Sequence, residues 1–345
     1  QAKIDENPSG YLEPTGFVFH MSRCGSTLTA NLLGSSPYNL VYSESKPPVG
    51  VMSLCDSAHC TDEGRVAALR TVIRAMGKTS FHKHMFFKFQ SSQTVLIDTY
   101  RKAFPNTPWV FVYRDPVPVL MSLVGHKIGA AQSSAATSPC LRTKRRPPVE
   151  TAIFLGMSQD AATHAPDERY CAAHLAGLCN AALASAEAAG ASEHYANGTM
   201  VDYETLPNAI VPLLEQHFHA PLAPAEELYA LEISTWYAKS RGAVRDFTPD
   251  TKAKEDHASV QINEAAADIL EPLYGRLHRK SLPASAIPSK LAAGRNPAQP
   301  EKQEAETSES SGARELTDEE FYAIPEHLRG LDRVVDPKAP DFMAS

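Results

Sequence analysis

The sequence predicts an α/β fold, a three-layer arrangement in which helices flank a central parallel sheet, and three observations carry that reading. Short apolar, β-rich runs alternate with helical patterns through the first two thirds of the chain, the signature of a parallel sheet covered on both faces. The first run leads at once into a glycine-containing turn and a helix start, Phe17-Val18-Phe19-His20-Met21-Ser22-Arg23-Cys24-Gly25-Ser26-Thr27-Leu28. A later run ends in Arg114-Asp115-Pro116, where another helix begins.

Taken in order, Gly16–Ser22 is apolar and stops at a turn, so it reads as a buried strand. Ser26–Leu33 follows as a helix with Leu28, Leu32 and Leu33 on its buried face. Asn39–Ser43, Met85–Phe89, Trp109–Arg114 and Met200–Tyr203 are the remaining strands. Glu63–Met76, Thr94–Phe104, Val117–Val124, Ala172–Ala189 and Ile210–His217 carry helical spacing. Ser45–Thr61 and Gly129–Pro148 read as loops that shape an acceptor pocket. The second of these is rich in Ala, Ser and Thr before it reaches Arg142, Lys144, Arg145 and Arg146. Residues 1–280 form the domain. Residues 281–314, rich in Pro, Ala, Ser, Glu and Lys, have the composition of a flexible, disordered linker. Residues 315–345 are a tail that regains Phe321, Tyr322, Leu328, Leu331 and Val334, with Thr317 and Glu320 spaced as a capping box. This tail is expected to pack back on the domain or bind a partner.

Composition narrows the function classes. A chain of 345 residues with a hydrophobic fraction of 43% suits one large domain plus a tail. A formal net charge of −7 argues against a general nucleic-acid binder, so an anionic ligand must meet a local basic pocket. No apolar run is long enough for a membrane span. Compartment stays open: the cytoplasm is favoured, and the Golgi lumen is the alternative if an N-terminal anchor has been removed. The cysteines are Cys24, Cys55, Cys60, Cys140, Cys171 and Cys179. Their even number permits disulfides, and the clusters Cys55/His59/Cys60 and Cys171/His174/Cys179 permit a shared zinc, but irregular spacing favours buried free thiols.

Two motifs carry chemistry. In the first, Gly25 permits close backbone approach, Ser26 and Thr27 offer hydroxyls and N–H donors in the first helical turn, and Arg23 adds a fixed cation. A strand, a tight turn and a helix start in that order aim N–H groups and a helix dipole at an anion. The design is that of a phosphate loop, yet it lacks the Gly-Lys-Ser/Thr spacing of a nucleoside triphosphatase. In the second motif Asp115 suits a helix cap and Pro116 the first helical position. Arg114 at the strand end and Ser122 in the helix then converge on one phosphate. Together the motifs predict a nucleotide held at two anionic ends.

Ser22-Arg23-Cys24-Gly25-Ser26-Thr27-Leu28 resembles the 5′-phosphosulfate loop of sulfotransferases that use 3′-phosphoadenosine 5′-phosphosulfate (PAPS), in the bacterial and algal-like branch with Arg-Ser/Cys-Gly-Ser-Thr-Leu. Strand, Arg114-Asp115-Pro116 and Ser122 resemble that family's 3′-phosphate motif. The resemblance implies a P-loop α/β fold, PAPS as co-substrate, a small-molecule or carbohydrate hydroxyl acceptor, and no required metal. It places Arg23 as the catalytic loop cation, with Cys24, Gly25, Ser26 and Thr27 around the 5′ end and Arg114 and Ser122 at the 3′-phosphate. Asp202-Tyr203-Glu204-Thr205-Leu206 is similar to the family's strand end near the adenine, which adds Tyr203. Phe247-Thr248-Pro249-Asp250-Thr251-Lys252 is similar to a late basic loop over the nucleotide, which adds Lys252, with Lys254 as the alternative.

Transfer to an alcohol also needs a base. Gln90 stands where one branch of the family has histidine, and glutamine takes no proton at neutral pH. Other branches use a glutamate after the second strand, and here that is Glu44. Lys88, at the end of an aromatic strand, is expected to face the cleft and steady the transferring group or the acceptor. His20, His82, His84 and His126 are the other candidate bases. The rival classes are a P-loop small-molecule kinase, which would need a Walker-type lysine and Mg²⁺, and a non-catalytic nucleotide-binding scaffold.

Overall fold

A computed structural model describes residues 10–124, 138–188, 197–206, 208–236, 238 and 250–281. The linker and tail, His126, and Phe247-Thr248-Pro249 lie outside the described residues.

Five strands form one parallel sheet: β1 (Gly16–His20), β2 (Asn39–Ser43), β3 (His84–Lys88), β4 (Trp109–Tyr113) and β5 (Gly198–Asp202), in the order β2-β3-β1-β4-β5. The register pairs Val18 with Lys88 and with Val110, and Ser43 with Lys88. The central strands β1, β3 and β4 are buried along both faces, so apolar side chains alternate between two cores. Phe17 and Phe19 point to one face, where Phe89, Tyr100, Phe104 and Trp109 form an aromatic cluster with them. Gly16 lies on the other face, close against Phe218 and Phe86. Burying each of these rings contributes about 1.5–3 kcal/mol, which fixes β1 in the middle of the sheet.

On the Phe218 face, α1 (Ser26–Leu33) runs under the helical segment Ile210–His217. On the aromatic face, Arg101 of the helix Ile97–Ala103 donates to the Ser185 carbonyl of the long helix Asp167–Ala188 at 2.6 Å. The chain leaves β1 towards β2 and β3 on one side and crosses to β4 on the other. Open α/β sheets bind ligands at such a reversal, beyond the C-terminal strand ends. Both motifs stand at that edge.

The fold departs from the sequence expectation in several places. Ser45–Thr61 is not a loop: Lys46–Ala58 is a helix whose first turn holds Pro47 and Pro48. Proline there forfeits no hydrogen bond and presets the helical φ, so the pair starts the helix rather than breaking it. Part of the expected loop Gly129–Pro148 is also helical, over Pro139–Thr143. The expected helix Thr94–Phe104 is a 3₁₀ turn, Ser91–Leu96, followed by Ile97–Ala103. The expectation of free thiols fails at Cys55, Cys60 and Cys171. Cys55 is bonded to Cys60 and Cys140 to Cys171, which leaves Cys24 and Cys179 as buried free thiols. Sequence spacing could not reveal the Cys140–Cys171 pair, because packing alone brings the helix Pro139–Thr143 against Asp167–Ala188.

Candidate functional site

The loop after β1 owes its shape to backbone strain held by neighbours. Ser22, Arg23 and Gly25 have φ of 79°, 54° and 79°. Two of these are non-glycine residues, for which left-handed backbone costs roughly 1–2 kcal/mol each. The Met21 N–H donates to the Val112 carbonyl (3.1 Å) and the Cys24 thiol to the same carbonyl (3.0 Å), so β4 anchors the loop from below. Burial pushes the Cys24 thiol up to about 11, against the lowering field of Lys88. The Cys24 side chain therefore faces the core, and only its backbone N–H can serve a ligand. Arg23 is exposed. Helix α1 starts at Gly25 with no side-chain cap and no acid in its first turn, so its leading N–H groups carry an uncompensated positive end.

Gly25 has a second constraint. A Cβ there would lie 2.4 Å from Cδ2 of Tyr203, so the ring of Tyr203 covers the loop glycine directly. The same ring lies under the Arg114 guanidinium, 4.3 Å from its centroid. Tyr203 therefore joins the two motifs.

The second cradle is built from two separated stretches of chain, 114–122 and 250–254. Arg114 follows β4 and is 5% exposed. Its Nη2 donates to Asp250 Oδ1 (3.2 Å) and Thr251 Oγ1 (2.5 Å), while its Nε is buried with no hydrogen-bond partner among the described residues. Ser122 lies in the helix Pro116–Val124, whose first turn is closed by the Val117 N–H donating to Asp115 Oδ1 (2.9 Å). Lys254 donates to Ser122 Oγ (2.9 Å) and pairs with Asp250 Oδ2 (2.5 Å). Burial works to raise the Asp250 carboxyl, but hydrogen bonds and charge from Lys254 and Arg114 overcome it and hold the group below its ordinary value. Burial lowers Lys254, reinforced by the charges of Arg114 and Arg23 and opposed by Asp250. Asp250 thus lies between two cations, Arg114 and Lys254. Lys252 is exposed on the helix Thr251–Asp256, while Lys254 of the same helix reaches Ser122 and Asp250. Lys252 and Lys254 are two positions apart on a helix, so they point in different directions.

Beside the first cradle, Lys88 and Glu44 meet. Lys88 ends β3 with its side chain 2% exposed, and its Nζ forms an ion pair with Glu44 Oε1, whose side chain is 49% exposed. Glu44 takes φ 55° and its N–H donates to the Lys88 carbonyl at 2.7 Å, which turns the carboxylate back over the strand end. Because Ser43 and Val18 both register with Lys88, the pair lies at the same sheet edge as the loop.

Of the histidines weighed as bases, His82 and His84 lie away from this site, and His20 lies at the start of its first loop. His82 and His84 lie at or before the start of β3, at the opposite end of the strand from Lys88. Burial lowers both of them. The ring nitrogens of His20 are both engaged, Nδ1 by the Ser22 N–H and Nε2 by the Phe89 carbonyl. The sequence reading passed over Asp250 and Thr251 as site residues; the signal that could have found them is the hydroxyl and carboxylate beside the Lys252/Lys254 pair.

Among the described residues no group of three or more His, Cys, Asp or Glu side chains is placed to hold a metal, and no helix is long and apolar enough to cross a membrane. No protein-family profile matches the chain, and no curated protein matches it. Among solved structures, the sulfotransferase domain from the curacin biosynthetic pathway is 12% identical over 82% of this chain and 97% of its own, with a TM-score of 0.40. The sulfotransferase domain from the Synechococcus PCC 7002 olefin synthase is likewise similar to this chain, 13% identical over 74% of it and 94% of that domain, with a TM-score of 0.39.

Proposed function

We propose that the chain is a PAPS-dependent sulfotransferase that moves the sulfuryl group to a hydroxyl acceptor. The observation that carries the reading is Arg114, buried at a strand end with an Nε–H that no acceptor among the described residues takes. A buried guanidinium donor without a partner is costly, and a phosphate oxygen beside it removes that cost. Ser122 and Lys254 supply further donors to the same phosphate. Across the reversal of the sheet, Arg23 and the uncapped start of α1 receive the 5′ end, and Tyr203 between the cradles offers the adenine a ring to lie against.

The acceptor oxygen forms its bond to sulfur as the bridging sulfur–oxygen bond to the 5′-phosphate breaks. The electron pair passes to the phosphate oxygen, and the acceptor proton passes to Glu44. Lys88, paired with Glu44, holds the carboxylate at the sheet edge. Charge grows on the leaving phosphate oxygen, so N–H donors and Arg23 fixed there act on the transition state more than on the ground state. At an effective dielectric of about 20, a cation ~4 Å from a unit negative charge contributes on the order of 4 kcal/mol. The product is adenosine 3′,5′-bisphosphate.

The test is calorimetry with adenosine 3′,5′-bisphosphate and with adenosine 5′-phosphate, followed by a mass-spectrometric screen of alcohols and carbohydrates with PAPS. Selective binding of the bisphosphate and an 80-dalton adduct on one acceptor class (about the mass of SO₃, at the chemistry of group transfer) are expected. Equal affinity for both nucleotides overturns the reading.

A further inference from the structure

We propose that His20 is a positioning residue that holds the strained backbone of the anion loop and ties that loop to the end of β3. The proposal rests on the functional reading above only for its activity measurements.

His20 is the last residue of β1 and is buried. Its Nδ1 accepts the Ser22 N–H at 3.0 Å. Its Nε2 faces the Phe89 carbonyl at 3.0 Å, and a carbonyl only accepts, so Nε2 is the donor. The two bonds together select the tautomer with its hydrogen on Nε2. Thr94 Oγ1 donates to the His20 carbonyl at 3.3 Å, so the backbone of the residue is held as well.

Each bond has a separate consequence. An acceptor side chain that takes the N–H two residues on closes a small ring, as aspartate and asparagine do in turns. Here that ring begins the loop: Ser22 is the first left-handed residue and Arg23 the next. Ser22 is itself buried, and without Nδ1 its N–H loses the partner shown for it. The bond through Nε2 reaches a different strand. Phe89 follows Lys88 directly, and the Phe89 N–H donates to the Val18 carbonyl at 3.0 Å. One imidazole therefore sets the loop that presents Arg23 and connects it to the strand end that presents Lys88 and Glu44.

Two substitutions separate the two bonds in the full chain. His20→Asn keeps an acceptor at the place of Nδ1 and loses the reach to Phe89. His20→Gln keeps a donor at the place of Nε2 and loses the acceptor for Ser22. His20→Leu keeps bulk and neither bond. Amide hydrogen exchange at Ser22 is expected to stay slow in the parent and His20→Asn, and to be at least about tenfold faster in His20→Gln and His20→Leu. Affinity for adenosine 3′,5′-bisphosphate should follow the same order, with His20→Asn near the parent. With PAPS and an acceptor, His20→Asn should hold KM and lose kcat, because the loop is intact but its tie to the Lys88–Glu44 pair is cut. A long-range nitrogen–proton spectrum should show the hydrogen of the parent His20 on Nε2.

Equal Ser22 exchange in all variants, or equal losses in His20→Asn and His20→Gln, overturns the proposal, since a residue that only fills space shows no such split. If His20→Leu does not fold, the Asn and Gln variants decide. A parent chain that binds no nucleotide refutes the functional reading, while the exchange pattern and the tautomer still judge His20.

Discussion

The two cradles are made in opposite ways. The loop Met21–Thr27 is contiguous, built on backbone, and pre-shaped by left-handed residues before any ligand arrives. Its cation, Arg23, is exposed, and the start of α1 carries no compensating acid. The Arg114 cradle is built on side chains from stretches more than a hundred residues apart, and Asp250 already lies between its cations. A backbone cradle gains little from rearrangement, because its donors are fixed by φ and ψ. A side-chain cradle with a resident carboxylate must exchange one anion for another. On the proposed function, the first is therefore suited to transition-state charge and the second to ligand selection.

Five substitutions sharpen or break that contrast. Glu44→Gln touches neither cradle and should show the largest effect, a fall in turnover of about 10²–10⁴-fold, with bisphosphate affinity kept in calorimetry. It also leaves the buried Lys88 without its carboxylate, so the melting temperature should drop. Retained turnover would remove Glu44 as base. Next, Arg23→Ala should cut kcat by roughly 10²-fold with little change in melting, since the side chain is exposed; a near-parent kcat would break the assignment of the first cradle to the transition state. For Arg114→Ala the expected loss is in affinity, about 10–100-fold from a charge-assisted hydrogen bond. That loss should vanish for the 3′-dephospho analogue, and a loss shared by both nucleotides would place Arg114 elsewhere on the ligand.

Gly25→Ala tests rigidity. The new methyl meets the Tyr203 ring at a φ of 79°, so a stability loss of about 1–2 kcal/mol should be read in denaturant melts, together with weaker nucleotide binding. An unchanged protein would show that the loop is softer than its dihedrals imply. The smallest effect belongs to Asp250→Asn. Removing the resident charge should raise bisphosphate affinity by about threefold, at the scale of a half-exposed ion pair, and steepen its salt dependence. Weaker binding would mean that Asp250 contacts the ligand rather than competing with it.

What the sequence determined by itself was mostly local, although the helix Lys46–Ala58 and the Cys55–Cys60 bond, both local, were missed. Alternating apolar runs fixed a parallel sheet, because strands buried on both faces must be short and apolar, and the glycine turn with its cation announced the first cradle. Arg114 and Ser122 were also legible, since a strand end and a helix face are matters of spacing. Tertiary structure decided the rest. It placed Asp250 and Thr251 on Arg114 and Lys254 on Ser122 and Asp250, joined Cys140 to Cys171, and gave both ring nitrogens of His20 a partner. None of these follows from spacing, because each depends on which distant segment packs beside the strand ends, and that is settled by the folding of the whole core rather than by neighbouring residues.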